Sequence, residues 1–431
     1  MELKVSRRSH LDDVEIKLTG AKNALLHLLF ASLLPTQKTV FSNVSTTLHD
    51  YHAVSDILHF VGAKLTKIDD QTVEITPTLK NNQHQIISLD YTKKTRTSLM
   101  LLGVLTKKVK KVTIGYPGGC SFSDQRPFDI HLDGFKALGA KVHVDEYHIS
   151  VTHQCDQDSE FTMRYPSVGA SINLMFFAVI GRAYISLHNI ALEPEVIEVA
   201  SYLNQCGGKI RIDHKTRSMH IEGVKKLNGV NFPVMYDRIQ TMTYGALAYL
   251  HRINVSIIYV NTEEYITAPL KVLDAIGAKW QFNAAKQRIT FLGRDSRLSG
   301  TKVIAKPYPN FPTDLQPIFA VMLACANKQS NVQDKVYPER MKYVRELQKL
   351  NFPIQFRENK ILINPLKNHT LRAAAMESFD LRAGMAVVIA ASMCSQVCTI
   401  SNAQEVFRGY EHLLENLTHF MHIAMATEYF E

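Results

Sequence analysis

The chain has 431 residues, 46% hydrophobic and 21% charged, with 49 Lys and Arg against 40 Asp and Glu and a formal net charge of +9. This composition excludes a disordered chain, and the length exceeds what one hydrophobic core usually organises, so two domains are expected. The positive balance points to an anionic partner; "KKVKK" (107–111) is the one basic run, and it reads as a solvated face. No recognition helix, zinc finger or aromatic RNA-binding pattern accompanies it, so small anions fit better than nucleic acid.

Near the N-terminus, "LTGAKNA" (18–24) reads as strand end, turn and helix start. The apolar run that follows, "ALLHLLFASLLP" (24–35), contains His27 and Ser32 and stops at Pro35. It is too short to span a membrane, and no small-residue cleavage site follows it, so a cytoplasmic protein without membrane contact is expected. Further on, a helical segment ending in a small turn recurs: "ILHFVGAKL" (57–65), "FKALGAKV" (135–142), "YLNQCGGKI" (202–210) and "VLDAIGAKW" (272–280). Weaker echoes are "LQKLNFPI" (347–354) and "LTHFMHI" (417–423). With Gly62, Gly139, Gly207, Gly277, Asn351 and Phe420 as markers, the steps are 77, 68, 70, 74 and 69 residues, so six units fill the chain. The glycines suit helix C-caps, where φ is positive. Alternation after them, as in "VHVDEYHISVT" (142–152), predicts a hairpin.

Each unit also carries a more apolar helix upstream: 20–34, 94–106, 167–181, 237–250, 313–326 and 380–393. Apolar nearly all round, these helices are expected inside the protein. Their first turns hold unusual residues: Lys22 and Asn23, Lys93 and Arg96, Ser167 with Gly169, Asp237 and Arg238, Thr313 and Asp314, Asp380 and Arg382. Ser167, Asp237, Thr313 and Asp380 are each read first as N-caps. Basic residues in a first turn oppose the helix dipole, and a bound anion offsets that cost. The fold expected is α/β, with two domains of three repeats around buried helices.

One loop stands apart. In "GGCSFSDQRP" (118–127) two glycines precede Cys120, and an Arg-Pro pair closes the segment, which leaves open a working thiol or a small structural residue. The six cysteines at 120, 155, 206, 325, 394 and 398 are scattered, so no disulfide framework is expected. "CSQVC" (394–398) lacks a second pair at zinc spacing, so no metal is expected, and no cofactor either.

Taken together, "GAKNA", "PGGC", "RPFDIHLDGFKALGA", "SVGAS", "EPE", "DRIQT", "FPTDLQ", "DLRA" and "RGYE" resemble the UDP-N-acetylglucosamine 1-carboxyvinyltransferase family of enolpyruvyl transferases over about residues 15 to 415. The resemblance implies two domains with pseudo-threefold symmetry, each of three βαβαββ units: 1–20 plus 236–431, and 21–235 carrying the Cys120 loop, with the active site between them. It implies transfer of enolpyruvyl from phosphoenolpyruvate to the 3-hydroxyl of UDP-N-acetylglucosamine with phosphate release, the first committed step of peptidoglycan synthesis. 5-Enolpyruvylshikimate-3-phosphate synthases share this fold, but the "PGGC" loop favours the nucleotide-sugar branch. By the same resemblance Lys22 polarises phosphoenolpyruvate, Asn23 touches the sugar, and Cys120 is the loop thiol, an acid or an aid to product release and the target of fosfomycin. Arg126 and Arg408 clamp phosphoenolpyruvate, with Arg96 nearby, and Asp314 is the base for the sugar hydroxyl. Pro127, Phe128 and Asp129 together with Ser167, Val168 and Gly169 hold the uridine diphosphate, Val336 is a further substrate-binding position, and Arg340 and Arg382 lie near the closing interface.

Several positions depart from the family pattern. Five residues rather than four separate Cys120 from Arg126, and Leu192, Gln240, Tyr165 and Glu339 stand where arginine, glutamate, lysine and asparagine are common. A paralogue with another nucleotide or sugar acceptor, or a non-catalytic homologue, therefore stays open on sequence grounds.

Overall fold

A computed structural model describes the whole chain except residues 79–82, 119–127, 367–369 and 427–431. The described residues form two compact units, one of residues 1–19 and 236–426 and the other of residues 20–118 and 128–235. The expected thiol loop, with Cys120, Arg126 and Pro127, lies outside the described residues.

Among the described residues there are six four-stranded sheets with one common plan. The first strand runs parallel to the second, the second antiparallel to the fourth, and the third and fourth form a hairpin. Residues 84–153 show it in full. His84–Ile87 pairs in parallel with Lys111–Gly115, which pairs antiparallel with His148–His153, and Ala140–Val144 completes the hairpin with Val142 opposite Val151. A helix follows the first strand and another follows the second, giving the βαβαββ repeat. Three repeats are contiguous in sequence and three borrow a strand. Val14–Lys17 supplies the first strand beside Asn254–Ile258, and Asn231–Pro233 does the same beside Thr39–Ser42. The sixth repeat takes its last strand from Glu2–Arg7, which lies between Cys398–Ser401 and Met421–Met425.

The helix after each first strand is buried because its sequence has no polar face. Every residue of Gln316–Met322 and Leu381–Ala391 is buried, as are all but His251 of Arg238–His251, and these three pack together in the first unit. In the second unit Lys22–Ala31 and Val168–Val179 each pack against Met100–Leu105. Two predicted helices begin as 3₁₀ turns, Arg96–Leu99 and Thr313–Leu315, before continuing as α-helix. Pro317 accounts for one of these starts: it sits where a first-turn N–H has no helical partner to lose.

The helix after each second strand is amphipathic, and its end matches the marker pattern. Gly62, Gly139, Gly207 and Gly277 have φ between 77° and 98°, and Asn351 has φ 61°. Phe420, the sixth marker, does not; it is buried in the core directly before the strand Met421–Met425. The basic run 107–111 is less solvated than its composition suggests. Lys107 is paired with Asp156 at 2.7 Å and lies 4.8 Å from the Phe177 ring centroid, and burial pushes Lys108 down to about 8. No helix among the described residues is long and apolar enough to cross a membrane.

Candidate active site

In the second unit the first turn of Lys22–Ala31 carries the expected lysine and asparagine. Ala21 precedes it without a side-chain cap, so nothing in the local sequence offsets a cation at this positive helix end. The offset comes from the next helix, where Asp50 lies 2.7 Å from the Lys22 ammonium with both side chains nearly buried. Asp50 was not legible as a site residue, because "STTLHDYH" reads as an ordinary helix start. Asn23 is half-buried, and its carbonyl lies 2.6 Å from His27 Nδ1. Burial lowers the His27 pKa, so the ring is held neutral behind Lys22.

Two more helix starts lie close together in this unit. Asp129–Ala137 follows Phe128, and Val168–Val179 follows Ser167, whose hydroxyl accepts from the Ala170 N–H at 3.3 Å. Ser167 is therefore the cap that its residue type suggested. A side chain at Gly169 would put its Cβ 3.2 Å from the His131 ring, so glycine here lets the two helix starts approach. His131 Nδ1 lies 3.0 Å from Asn173 Nδ2, and burial, aided by the Arg96 charge, pushes this histidine down to about 3. Asp129 is ion-paired with Arg164, a residue that sequence reading passed over one position before Tyr165. Directly before residue 119, Gly118 donates its N–H to the Thr92 carbonyl at 3.0 Å. A Cβ there would fall 1.7 Å from the Lys93 carbonyl oxygen, which explains one of the paired glycines.

In the first unit a charged network gathers around the starts of the buried helices. Asp237 and Asp380 are N-caps, each accepting from two backbone N–H groups of the following turn. The cap expected at Thr313 does not form, because Pro312 holds that position, and Asp314 is not a cap either. Its Oδ1 accepts from Arg340 Nη1 at 2.9 Å and its Oδ2 from Arg382 Nε at 3.3 Å. Arg340 also reaches Asp380 at 3.2 Å and the Thr313 carbonyl at 3.3 Å. Both guanidiniums are buried, whereas the Asp314 carboxylate is 27% exposed. Arg382 packs 5.0 Å from the Tyr410 ring centroid and has one buried nitrogen, Nη1, without a hydrogen bond. Thr313 donates to Asp334 at 2.5 Å, and Asp334 in turn accepts from the Val336 and Tyr337 N–H groups, so this second carboxylate shapes the turn that carries Val336. Arg408 is paired with Glu405 at 2.9 Å.

The structure thus brings Asp314, Arg340, Arg382 and Val336 into one neighbourhood in the first unit. In the second it brings Arg96, Asp129 and Ser167 to Gly169 together. Asp50, His131, Arg164 and Asp334 were missed, because a single charged residue or histidine within an ordinary helix, strand or loop carries no local signal.

Six repeats of this plan, with cations at buried helix starts, define the two-unit fold of enolpyruvyl transferases. Among solved structures, the enolpyruvyl transferase NikO from Streptomyces tendae superposes with a TM-score of 0.87 at 17% identity, covering 98% of both chains. An EPSP synthase from Acinetobacter baumannii gives 0.76 at 15% identity, covering 99% of this chain and 100% of that one. At those identities the likeness speaks for the fold. The family described as EPSP synthase (3-phosphoshikimate 1-carboxyvinyltransferase) matches residues 9–417. Proteins named UDP-N-acetylglucosamine 1-carboxyvinyltransferase from Wolbachia sp. subsp. Brugia malayi and from Pseudothermotoga lettingae are 31% and 32% identical over 408 and 421 residues, covering 94% and 96% of both chains. The chain belongs to the enolpyruvyl transferase family, in its UDP-N-acetylglucosamine 1-carboxyvinyltransferase branch.

Proposed function

We propose that the protein transfers enolpyruvyl from phosphoenolpyruvate to the 3-hydroxyl of UDP-N-acetylglucosamine, releasing phosphate, as a soluble enzyme of peptidoglycan synthesis in the cytoplasm. Similarity to carboxyvinyltransferases over 94–96% of the chain carries this reading over a paralogue with another acceptor.

The reaction adds the sugar oxygen to C2 of phosphoenolpyruvate while C3 gains a proton; the C2–O bond to phosphate then breaks as C3 gives a proton up. Addition needs a base at the hydroxyl. Asp314 suits this role because Arg340 and Arg382 fix both of its oxygens, while its partial exposure leaves room for an incoming hydroxyl. Lys22 supplies positive charge for the phosphate and carboxylate of phosphoenolpyruvate, with Arg126 and Arg408 as clamps and Cys120 as the thiol that assists proton transfer or product release. Asn23 takes the sugar. Pro127, Phe128 and Asp129 with Ser167, Val168 and Gly169 take the uridine diphosphate, whose charge suits free N–H groups at a helix start. Arg96 and Arg382 add positive charge for the same anions.

Phosphate release measured with both substrates tests the proposal. Turnover that needs both compounds supports it; no phosphate at saturating concentrations refutes it. Fosfomycin alkylation of Cys120, followed by mass, is expected to be faster when the UDP-sugar is present.

A further inference from the structure

The edge proposed for the nucleotide in the second unit carries two carboxylates beside Arg96 and Arg164, and left without a partner these carboxylates would face a diphosphate ligand. Asp129 and Asp133 lie one turn apart on the same helix, at the end where Gly169 and the Val168–Val179 helix begin. Both are about half exposed and face Arg164, which is ion-paired with Asp129 and has Nη1 3.9 Å from Asp133 Oδ2. His131 cannot help to balance them, because burial keeps its ring neutral.

We propose that Arg164 is a positioning residue for nucleotide binding: its guanidinium neutralises Asp129 and Asp133, which would otherwise repel the diphosphate of a nucleoside diphosphate ligand. Arg164 acts through these two carboxylates rather than on the reacting atoms. Exposed pairs of this kind add little to folding stability, so their effect is expected in ligand affinity. Like-charge repulsion across several ångströms of partly solvated space is modest and is screened by salt. The inference rests on the UDP-sugar reading above.

The test measures binding of UDP and of UDP-N-acetylglucosamine to the full-length protein by calorimetry, at low salt and at high salt. The variants are Arg164→Gln, Arg164→Lys and the double variant Arg164→Gln with Asp133→Asn, and steady-state kinetics are run on each. Arg164→Gln is expected to weaken UDP binding roughly 3- to 10-fold at low salt, less at high salt, raising KM for the UDP-sugar without lowering kcat. Lysine is expected to restore most of the affinity, and removing the Asp133 charge to restore part of it. Unchanged UDP affinity in Arg164→Gln, or a loss that Asp133→Asn fails to relieve, overturns the inference and leaves the functional reading standing. A wild-type protein that binds neither UDP nor the UDP-sugar overturns both.

Discussion

Replacing Asp314 with asparagine tests the charged network and the proposed base together. The carboxylate touches two buried guanidiniums, with oxygen–nitrogen distances of 2.9 and 3.3 Å. At an effective dielectric of 20, charges about 4 Å apart attract by ~4 kcal/mol, so the two contacts amount to ~8 kcal/mol gross. Desolvation cancels much of this, and removing one partner of a buried pair typically costs ~3–5 kcal/mol. Asp314 is 27% exposed and Asp380 remains beside Arg340, so the lower end, about 3 kcal/mol, is expected. For a unit of roughly 200 residues this corresponds to a Tm lower by roughly 6–12 °C. Loss of the base lowers turnover by a further, separate factor of ~10²–10⁴. Scanning calorimetry and the phosphate-release assay read the two effects independently. A variant with wild-type Tm would refute the network argument. One with wild-type turnover would refute the assignment of Asp314 as base.

Three other perturbations probe groups with distinct physics. Asp50→Asn removes the carboxylate from the Lys22 ammonium and is expected to lower stability by ~3 kcal/mol and raise KM for phosphoenolpyruvate, as checked by thermal melting and kinetics. Burial pushes the Glu198 carboxyl up to about 7, although it accepts the Met235 N–H at 2.9 Å, so from about 4.5 to about 7 the native state keeps a proton that the unfolded chain releases. Stability from this group therefore falls as pH rises through that window, and Glu198→Gln should raise Tm at pH 8 but hardly at pH 4.5. His131 has the opposite sense: with its value lowered from 6.5 to about 3, the unfolded chain binds the extra proton, so its contribution is present above about 6.5 and is lost toward 3. His131→Asn is expected to flatten the acid limb of a Tm–pH curve, by up to ~1.4 kcal/mol per pH unit; an unchanged slope would refute the assignment.

The repeats were legible because two periodicities and a backbone constraint coincide in them. A marker such as Gly277 is required by its φ of 77°, and apolar runs such as "GMAVVIAASM" have no polar face to expose. The strand exchange was only partly visible. Nothing in the composition of Val14–Lys17 tells it to pair with residues 241 positions away, since parallel partners are chosen by tertiary packing. In the site, motif residues such as Lys22 and Asp314 stood out because cations in first turns and an acid after "FPT" sit in recognisable strings. Their partners did not. Asp50, Asp334 and Arg164 lie on other elements, and their importance arises from distances that only folding creates.

Those partners change the physical account of the basic helix starts. Lys22 and Arg382 oppose their helix dipoles, and sequence reasoning assigned the compensation to a bound anion. In the folded chain the compensation is internal: Asp50 serves Lys22 and Asp314 serves Arg382, as Glu405 serves Arg408. Each cation is thus held in a defined rotamer without ligand, so less side-chain entropy remains to be lost when an anion arrives. The same pairing makes an incoming phosphate or carboxylate compete with a carboxylate already in place. In the proposed function, an anion of single charge and few contacts gains little by that exchange, whereas one engaging two such cations of the same unit gains at each. Selectivity for a polyvalent anion over simple salt then follows from the pairing itself, without any contact specific to one substrate.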